Sequence, residues 1–295
     1  SYLPIKLSSN GKLGAPSKIH VRNYSGQDAL DLAMSDETNM LESLLTVLDN
    51  MIYEDIDVYN FHEQDIEEIM LNVYFNFWKS SIEYPYTVPE DELKTLSSDK
   101  RKAIEDGLQK YSVHIDSLSI KTKTLKDFKE PLTIHIEDSE DTYGFNIPRI
   151  GHDLIAKEKT EDKFEDEEDE FYELSEQLQH NQDNANQGKP INYKVKPSQV
   201  RKFKKYQMNR LKFFTLQKQL LMIDSVNGKT IDEKDKVQVY NEIPLTVWKE
   251  FNTQLKETIK FGVQHDIKVI SPVTQKEVIR RFQFRFLDFL PSMDT

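Results

Sequence analysis

Lys157-Glu158-Lys159-Thr160-Glu161-Asp162-Lys163-Phe164-Glu165-Asp166-Glu167-Glu168-Asp169-Glu170-Phe171-Tyr172-Glu173-Leu174-Ser175-Glu176 is the sharpest compositional break in the chain, and the rest of the sequence is organised around it. Carboxylates at this density repel one another in a compact core, so the segment predicts an exposed helix. The polar run at 180–190, ending in Gly188-Lys189-Pro190, predicts a flexible connector behind it. A second reading stands beside that one. Phe164, Phe171, Tyr172 and Leu174 are apolar groups isolated among acids, the composition of a segment that docks on a partner after electrostatic steering.

C-terminal to the connector, Pro197-Ser198 precedes a long predicted helix in which Arg201, Lys202, Lys204, Lys205, Arg210 and Lys212 are interleaved with Phe203, Tyr206, Leu211, Phe213 and Phe214. A basic aromatic helix suits a phosphate-rich surface, and it equally suits pairing with the acidic run or packing on a partner. Its apolar positions encircle the axis at 220–223, which predicts burial there. Val226-Asn227-Gly228-Lys229 carries the Asn-Gly pair of a type I′ hairpin. Leu245, Trp248, Phe251, Leu255 and Ile259 form a helical stripe, with Gly262 expected as its stop. Arg281-Phe282-Gln283-Phe284-Arg285-Phe286 alternates with period two and predicts a packed strand with three phenylalanines on one face.

N-terminal to the acidic run the pattern is mainly helical. Two short strands, one opening at Leu3 and one containing Ile19 and Val21, precede Ser25-Gly26-Gln27-Asp28, a capping box for a helix to about Ala33. Leu41, Leu44, Leu48 and Met51 recur at helical spacing, with Leu45 and Ile52 widening the stripe. Asn60-Phe61-His62-Glu63 reads as a second box, opening a helix whose stripe is Ile66, Ile69, Met70, Val73 and Phe77. Two prolines in residues 84–89 predict an interruption before a polar helix at 91–108. Strand-like alternation around Ile115 and Ile120, at 132–136 and at 143–147, with a polar turn from Asp138 to Asp141, predicts one small antiparallel sheet.

The fold class is therefore α+β, in four segments. They are a strand plus mainly helical domain at 1–110, a small antiparallel β region at 111–156, the acidic segment and polar linker at 157–197, and a helix-hairpin-helix-strand domain at 198–295. With 51 acidic against 39 basic residues the formal charge is -12, which disfavours a general nucleic-acid binder. Zero cysteines exclude disulfides, thiolate metal sites and a cysteine nucleophile. No apolar run approaches the roughly 20 residues that cross a membrane, and Ser1-Tyr2 opens no cationic-then-apolar leader, so assembly in the cytoplasm is expected.

The familiar signatures of catalysis and cofactor binding are missing. His62-Glu63 begins like a zinc-peptidase motif, but Ile66 stands where the second histidine belongs. Gly11, Gly14 and Gly26 do not make a phosphate cradle. The pairs Asp55 with Asp57 and Asp65 with Glu68 read as structural or solvated, as do His114 and His135. Asp224-Ser225-Val226-Asn227-Gly228 is a poor calcium loop, since Val226 removes one ligand and Asp235 stands at the closing glutamate position. No cofactor, metal or catalytic residue is expected.

Several segments together resemble the T4-like baseplate hub and baseplate assembly proteins of contractile-tailed phages. Leu3-Pro4-Ile5 through Ser8-Ser9-Asn10-Gly11 looks like that family's leading strand and turn, and Val21-Arg22-Asn23-Tyr24-Ser25-Gly26-Gln27-Asp28 with Leu30 looks like its next strand and capped helix. Ile56-Asp57-Val58 with Asp65-Ile66, the hairpin Ile223-Asp224-Ser225-Val226-Asn227-Gly228, and the ending Phe289-Leu290-Pro291 are similar as well. Ile270-Ser271-Pro272-Val273-Thr274 is similar to a Cys-Pro-x-Cys piece of related proteins, so the resemblance implies that Ser271 and Thr274 keep the turn and have lost a metal. The acidic segment and linker stand outside the similarity, as an insertion.

The resemblance implies a non-enzymatic structural component of the hub or inner baseplate, located in the virion, assembled in the host cytoplasm and acting on other tail or baseplate proteins. A transient assembly chaperone is the runner-up, and a metal-dependent hydrolase a distant third. The expected anchors for a partner are Phe171, Tyr172 and Trp248, with Arg201 and Lys205 as charged contacts, while Phe282, Phe284 and Phe286 are alternatively domain core.

Overall fold

The computed structural model describes residues 1–290 apart from Glu37 and Asp138, and of Phe286 it describes the backbone only. The expectations on the Asp138 end of the turn, on the Phe286 ring and on Pro291 fall outside the described residues. In chain order the elements are β1 (Tyr2–Lys6), β2 (Lys18–Arg22), α1 (Gly26–Ala33), α2 (Met40–Met51), α3 (Glu63–Phe77), β3 (Ser81–Tyr86), α4 (Glu90–Leu93), α5 (Ser98–Glu105), β4 (Tyr111–Asp116) and β5 (Thr122–Lys123). They continue with β6 (Leu132–His135), β7 (Thr142–Phe145), α6 (Ile150–Asn186), α7 (Pro197–Met222), β8 (Ile223–Val226), β9 (Lys229–Thr230), α8 (Lys236–Glu242), α9 (Leu245–Thr258), β10 (Gly262–Val263), β11 (Asp266–Ile270) and β12 (Glu277–Arg281). About 50% helix and 18% strand in small antiparallel sheets make this an α+β protein.

The chain divides into two compact units, Ser1–Glu130 together with the chain from Asn252 onward, and Pro131–Phe251. The expected boundaries at 110, 156 and 197 do not coincide with that division. Strand pairing is the reason: β4 pairs with β3 and β10 with β5, so 111–130 and the C-terminal strands hydrogen-bond back to the first unit across long sequence separations. Composition carries no trace of such pairing.

In the first unit β1 and β2 form an antiparallel hairpin, and the Ser25 box closes on α1 as expected, with the Ser25 hydroxyl accepting from Asp28 N–H and the Asp28 carboxylate accepting from Ser25 N–H. Arg22 adds a two-pronged contact to the same carboxylate. α2 and α3 bury Leu44, Leu45, Leu48, Met51, Ile66, Ile69, Met70 and Val73, each worth roughly 1.5–3 kcal/mol relative to exposure. The second box does not form. Asp57 instead caps a separate 3-10 turn at Val58–Asn60, accepting from Tyr59 N–H and from the Asn60 amide, and α3 starts behind His62 without a side-chain cap.

Four further expectations change here. Residues 84–86 continue strand β3 instead of breaking the chain, because Pro85 sits in a two-stranded ladder that leaves one edge without donors to satisfy. The polar helix at 91–108 is two short helices, α4 and α5. The end of the chain leaves the ladder at Arg281, yet Phe282 and Phe284 are buried with their rings stacked, so the period-two alternation survives without the strand. Gly262 has φ +90 but lies in β10, four residues past the end of α9, and so is not the helix stop.

In the second unit a four-stranded sheet runs β6-β7-β8-β9. The expected single sheet is thereby divided, since β4 belongs to β3 while β6 and β7 take β8 as neighbour. Asn227 and Gly228 carry φ of 51 and 74, the type I′ turn read from Asn-Gly, which joins β8 to β9. Phe145 and Phe251 are fully buried and stack at 4.5 Å, and Ile134, Ile147, Ile223 and Val247 are buried in the same unit. β7 leads into α6 and α7 leads into β8, so the two long helices are an excursion between paired strands, closed at its base by the Asn146 N–H donating to Met222 C=O at 2.7 Å.

Candidate functional site

From 161 to 186 the sequence holds no glycine, proline or β-branched residue, and its Glu, Lys, Leu and Gln are strong helix formers. The helix therefore runs through the expected linker and ends only at Asn186, before Gly188 at φ +67 and Pro190. The remaining connector is pinned to α6. Asn181 donates from its amide to Tyr193 C=O at 2.8 Å and accepts from Tyr193 N–H at 3.0 Å, while the His180 and Tyr193 rings meet edge to face. Pro197 begins α7 where its missing N–H is harmless, and Gln199 accepts from Lys196 N–H.

α6 and α7 pack antiparallel. Phe164 meets Phe213 and Tyr206, and Phe171 stacks on Tyr206 at 5.1 Å with Phe203 beside it. Arg210 pairs with Glu168 at 3.2 Å and donates to the Tyr206 hydroxyl, and Lys218 pairs with Asp153 at 2.5 Å near the base. Lys163 lies 5.4 Å from the centre of the Phe213 ring. The acidic and basic segments are thus the two arms of one hairpin, and a groove of about 410 Å³ runs between them, floored by Phe171, Phe203, Tyr206 and Phe214 and flanked by Tyr172 and Leu211.

Four of the five expected partner residues lie on this hairpin. Phe171 is half-buried in its packing, Tyr172 is 66% exposed, and Arg201 and Lys205 are exposed one turn apart on α7. Trp248 is elsewhere, half-buried against Phe145, Tyr240 and Phe251 in the core of the second unit. The exposed Met208 and the clamp of Asn181 on Tyr193 were missed. Met208 has a local signal, its spacing from Leu211 and Lys204, whereas the clamp spans a connector and leaves none in the sequence.

Two buried carboxylates outside the hairpin, Glu92 and Glu68, are tied into hydrogen-bond networks. Ser271 is buried; its hydroxyl accepts from Val273 N–H and Thr274 N–H at 3.1 Å each and donates to Glu92 at 2.6 Å. Tyr86 and Arg280 complete the ring of donors around Glu92. Burial alone raises the Glu92 carboxyl, and the Ser271, Tyr86 and Arg280 donors outweigh it and hold the group below its usual range. A metal does not fit this turn: the Ser271 proton is committed to Glu92, a neutral hydroxyl is no substitute for a thiolate, and among the described residues no group of three or more His, Asp or Glu is placed to hold an ion. Glu68 receives Ser8 through both N–H and hydroxyl; burial still raises its carboxyl. His114 and His135 are exposed.

Among the described residues no helix is long and apolar enough to cross a membrane. Comparison with protein-family models, with curated proteins and with solved structures finds no match to this chain.

Proposed function

We propose that this chain is a structural subunit of the hub or inner baseplate of a contractile phage tail, acting through protein contacts made by the α6–α7 hairpin. The observation that carries the contact role is the exposure of Tyr172 and Leu211, at 66% and 65%, beside an aromatic-lined groove between an acidic and a basic helix. Charges of both signs steer a partner and reject wrong registers, and burial of aromatic surface supplies the affinity. The tail assignment rests on the resemblance of the leading strand and turn, the capped helix and the Ile223–Gly228 hairpin segment. No reaction is assigned to the chain.

Crosslinking mass spectrometry on intact particles tests this reading. Crosslinks from Lys204, Lys205 or Lys212 to other tail proteins are the expected result. Crosslinks in infected-cell extract without the chain in purified particles favour a transient assembly factor, and their absence from both overturns the reading. Phe171 carries the hairpin's own packing, so Tyr172→Ala is the substitution that reads docking alone. It is expected to weaken partner capture by about tenfold with an unchanged circular dichroism spectrum.

A further inference from the structure

We infer that the first unit binds a small phosphate ester, a dianionic phosphate group on an apolar body, in a cavity of about 640 Å³ walled by the start of α3, the end of α9 and strands β5, β10 and β12. The cavity uses residues of that unit alone, and the inference stands independently of the docking reading. Strand pairing builds the wall. β10 pairs with β5 so that Gly262 comes opposite Lys123, and Gln264 N–H donates to Lys121 C=O at 2.8 Å. Gly262, at φ +90, lets β10 lie against α3, where a Cβ would come within 3.0 Å of the Gln64 side chain.

In a chain where acids outnumber bases 51 to 39, this wall carries four permanent cations, Lys123, Lys256, Lys260 and Arg281, against three carboxylates. Two of those carboxylates are engaged inside the wall: Glu67 meets His265 at 3.1 Å and Asp266 meets Arg281 at 3.7 Å. Glu63, on the first turn of α3, is the third and is exposed. Lys260 pairs with Glu257 at 2.7 Å; this contact and the Arg281 pair are solvent-exposed, contribute little to stability and exchange readily for a ligand. Lys123 and Lys256 make no ion pair among the described residues, so two ammonium groups on different elements line the cavity without a counter-charge.

Two unpartnered ammonium groups suit a dianion better than a single carboxylate. A phosphate monoester carries about -1.5 to -2 at neutral pH, and its three acceptor oxygens take lysine and arginine donors from several sides at once. The size of the cavity calls for more than the phosphate, since pockets of roughly 300–1,000 Å³ house organic ligands. Phe261, Val263 and Phe284 line the same space and supply apolar surface for the ester's body.

Calorimetric titration of the purified full chain at low salt tests this. Phenyl phosphate is expected to bind with a dissociation constant of about 1 mM or tighter, inorganic phosphate at least about fivefold more weakly, and benzoate at least about tenfold more weakly. Lys123→Gln and Lys256→Gln are each expected to weaken phenyl phosphate about fivefold, and the double variant further, with an unchanged circular dichroism spectrum. Lys102→Gln, an exposed lysine of α5 outside the cavity, is expected to leave the affinity unchanged. Bound phenyl phosphate is expected to slow hydrogen exchange in peptides covering 259–266. Absence of binding at about 10 mM phenyl phosphate, equal affinity for benzoate or inorganic phosphate, or indifference to the double lysine variant overturns the inference.

Discussion

The Ser271 hydroxyl uses one oxygen twice, accepting from the turn's own N–H groups and donating to Glu92, so hydrogen bonds tie this turn to Glu92. Ser271→Ala leaves two backbone donors and one carboxylate oxygen unpaired in a buried setting and is expected to cost about 1–3 kcal/mol in urea unfolding. Glu92 has a folded pKa below its ordinary value, so its stabilisation is present above that value and is lost as pH falls through the folded one. Glu92→Gln is accordingly expected to flatten that acid limb. At this scale the sequence was legible where partners are near: Ser25 and Asp28 are three apart and their box formed. Asn60 misled because it closes a separate 3-10 turn capped by Asp57, which holds its amide, while His62 stands at the N-cap of α3. The turn residues 271–274 were singled out, but Glu92, 179 positions away, was not, since nothing local links the two.

Among the elements, the α6–α7 hairpin follows from composition and the β8–β9 turn from a dipeptide. Gly228 at φ +74 tolerates no Cβ without strain, so Gly228→Ala is expected to destabilise the second unit by about 1 kcal/mol or more, read as a lowered urea midpoint. The helix α6 outran its expected end because low charge and high polarity at 180–186 resemble a linker, yet contain nothing that stops a helix. The connector at 187–196 is short and is fastened by Asn181, which a count of polar residues does not reveal. Strand identity was legible at 132–136 and 143–147; strand partnership was not, because the unpaired backbone groups along either edge of a short strand accept many neighbours.

For the whole molecule the two units are expected to respond to pH in opposite directions. In the first unit His265 has Nδ1 2.7 Å from Phe282 C=O and Nε2 3.1 Å from Glu67, so both ring nitrogens face acceptors and the protonated ring is favoured. The Glu67 contact, opposed by burial, raises its pKa above the ordinary 6.5; its stabilisation is present below 6.5 and lost as pH rises through the folded value. In the second unit burial, aided by the Arg149 charge, lowers His152 to about 4. The unfolded chain then takes up the proton first, so stability present above 6.5 is lost as pH falls toward about 4. Hydrogen exchange read separately on peptides of each unit is expected to show the first loosening as pH rises beyond 6.5 and the second as pH falls below it. Removal of the second trend by His152→Gln checks the assignment.

Composition and periodicity by themselves determined the α+β class, the long charged helices, the capped α1 and the Asn-Gly turn, because each depends on residues within a few positions of one another. Only the tertiary structure decided that the acidic and basic segments lie side by side as one hairpin, that Trp248 belongs to a core, and that the C-terminal strands return to the first unit. Those outcomes depend on which distant surfaces bury one another, and a burial free energy has no address in local sequence.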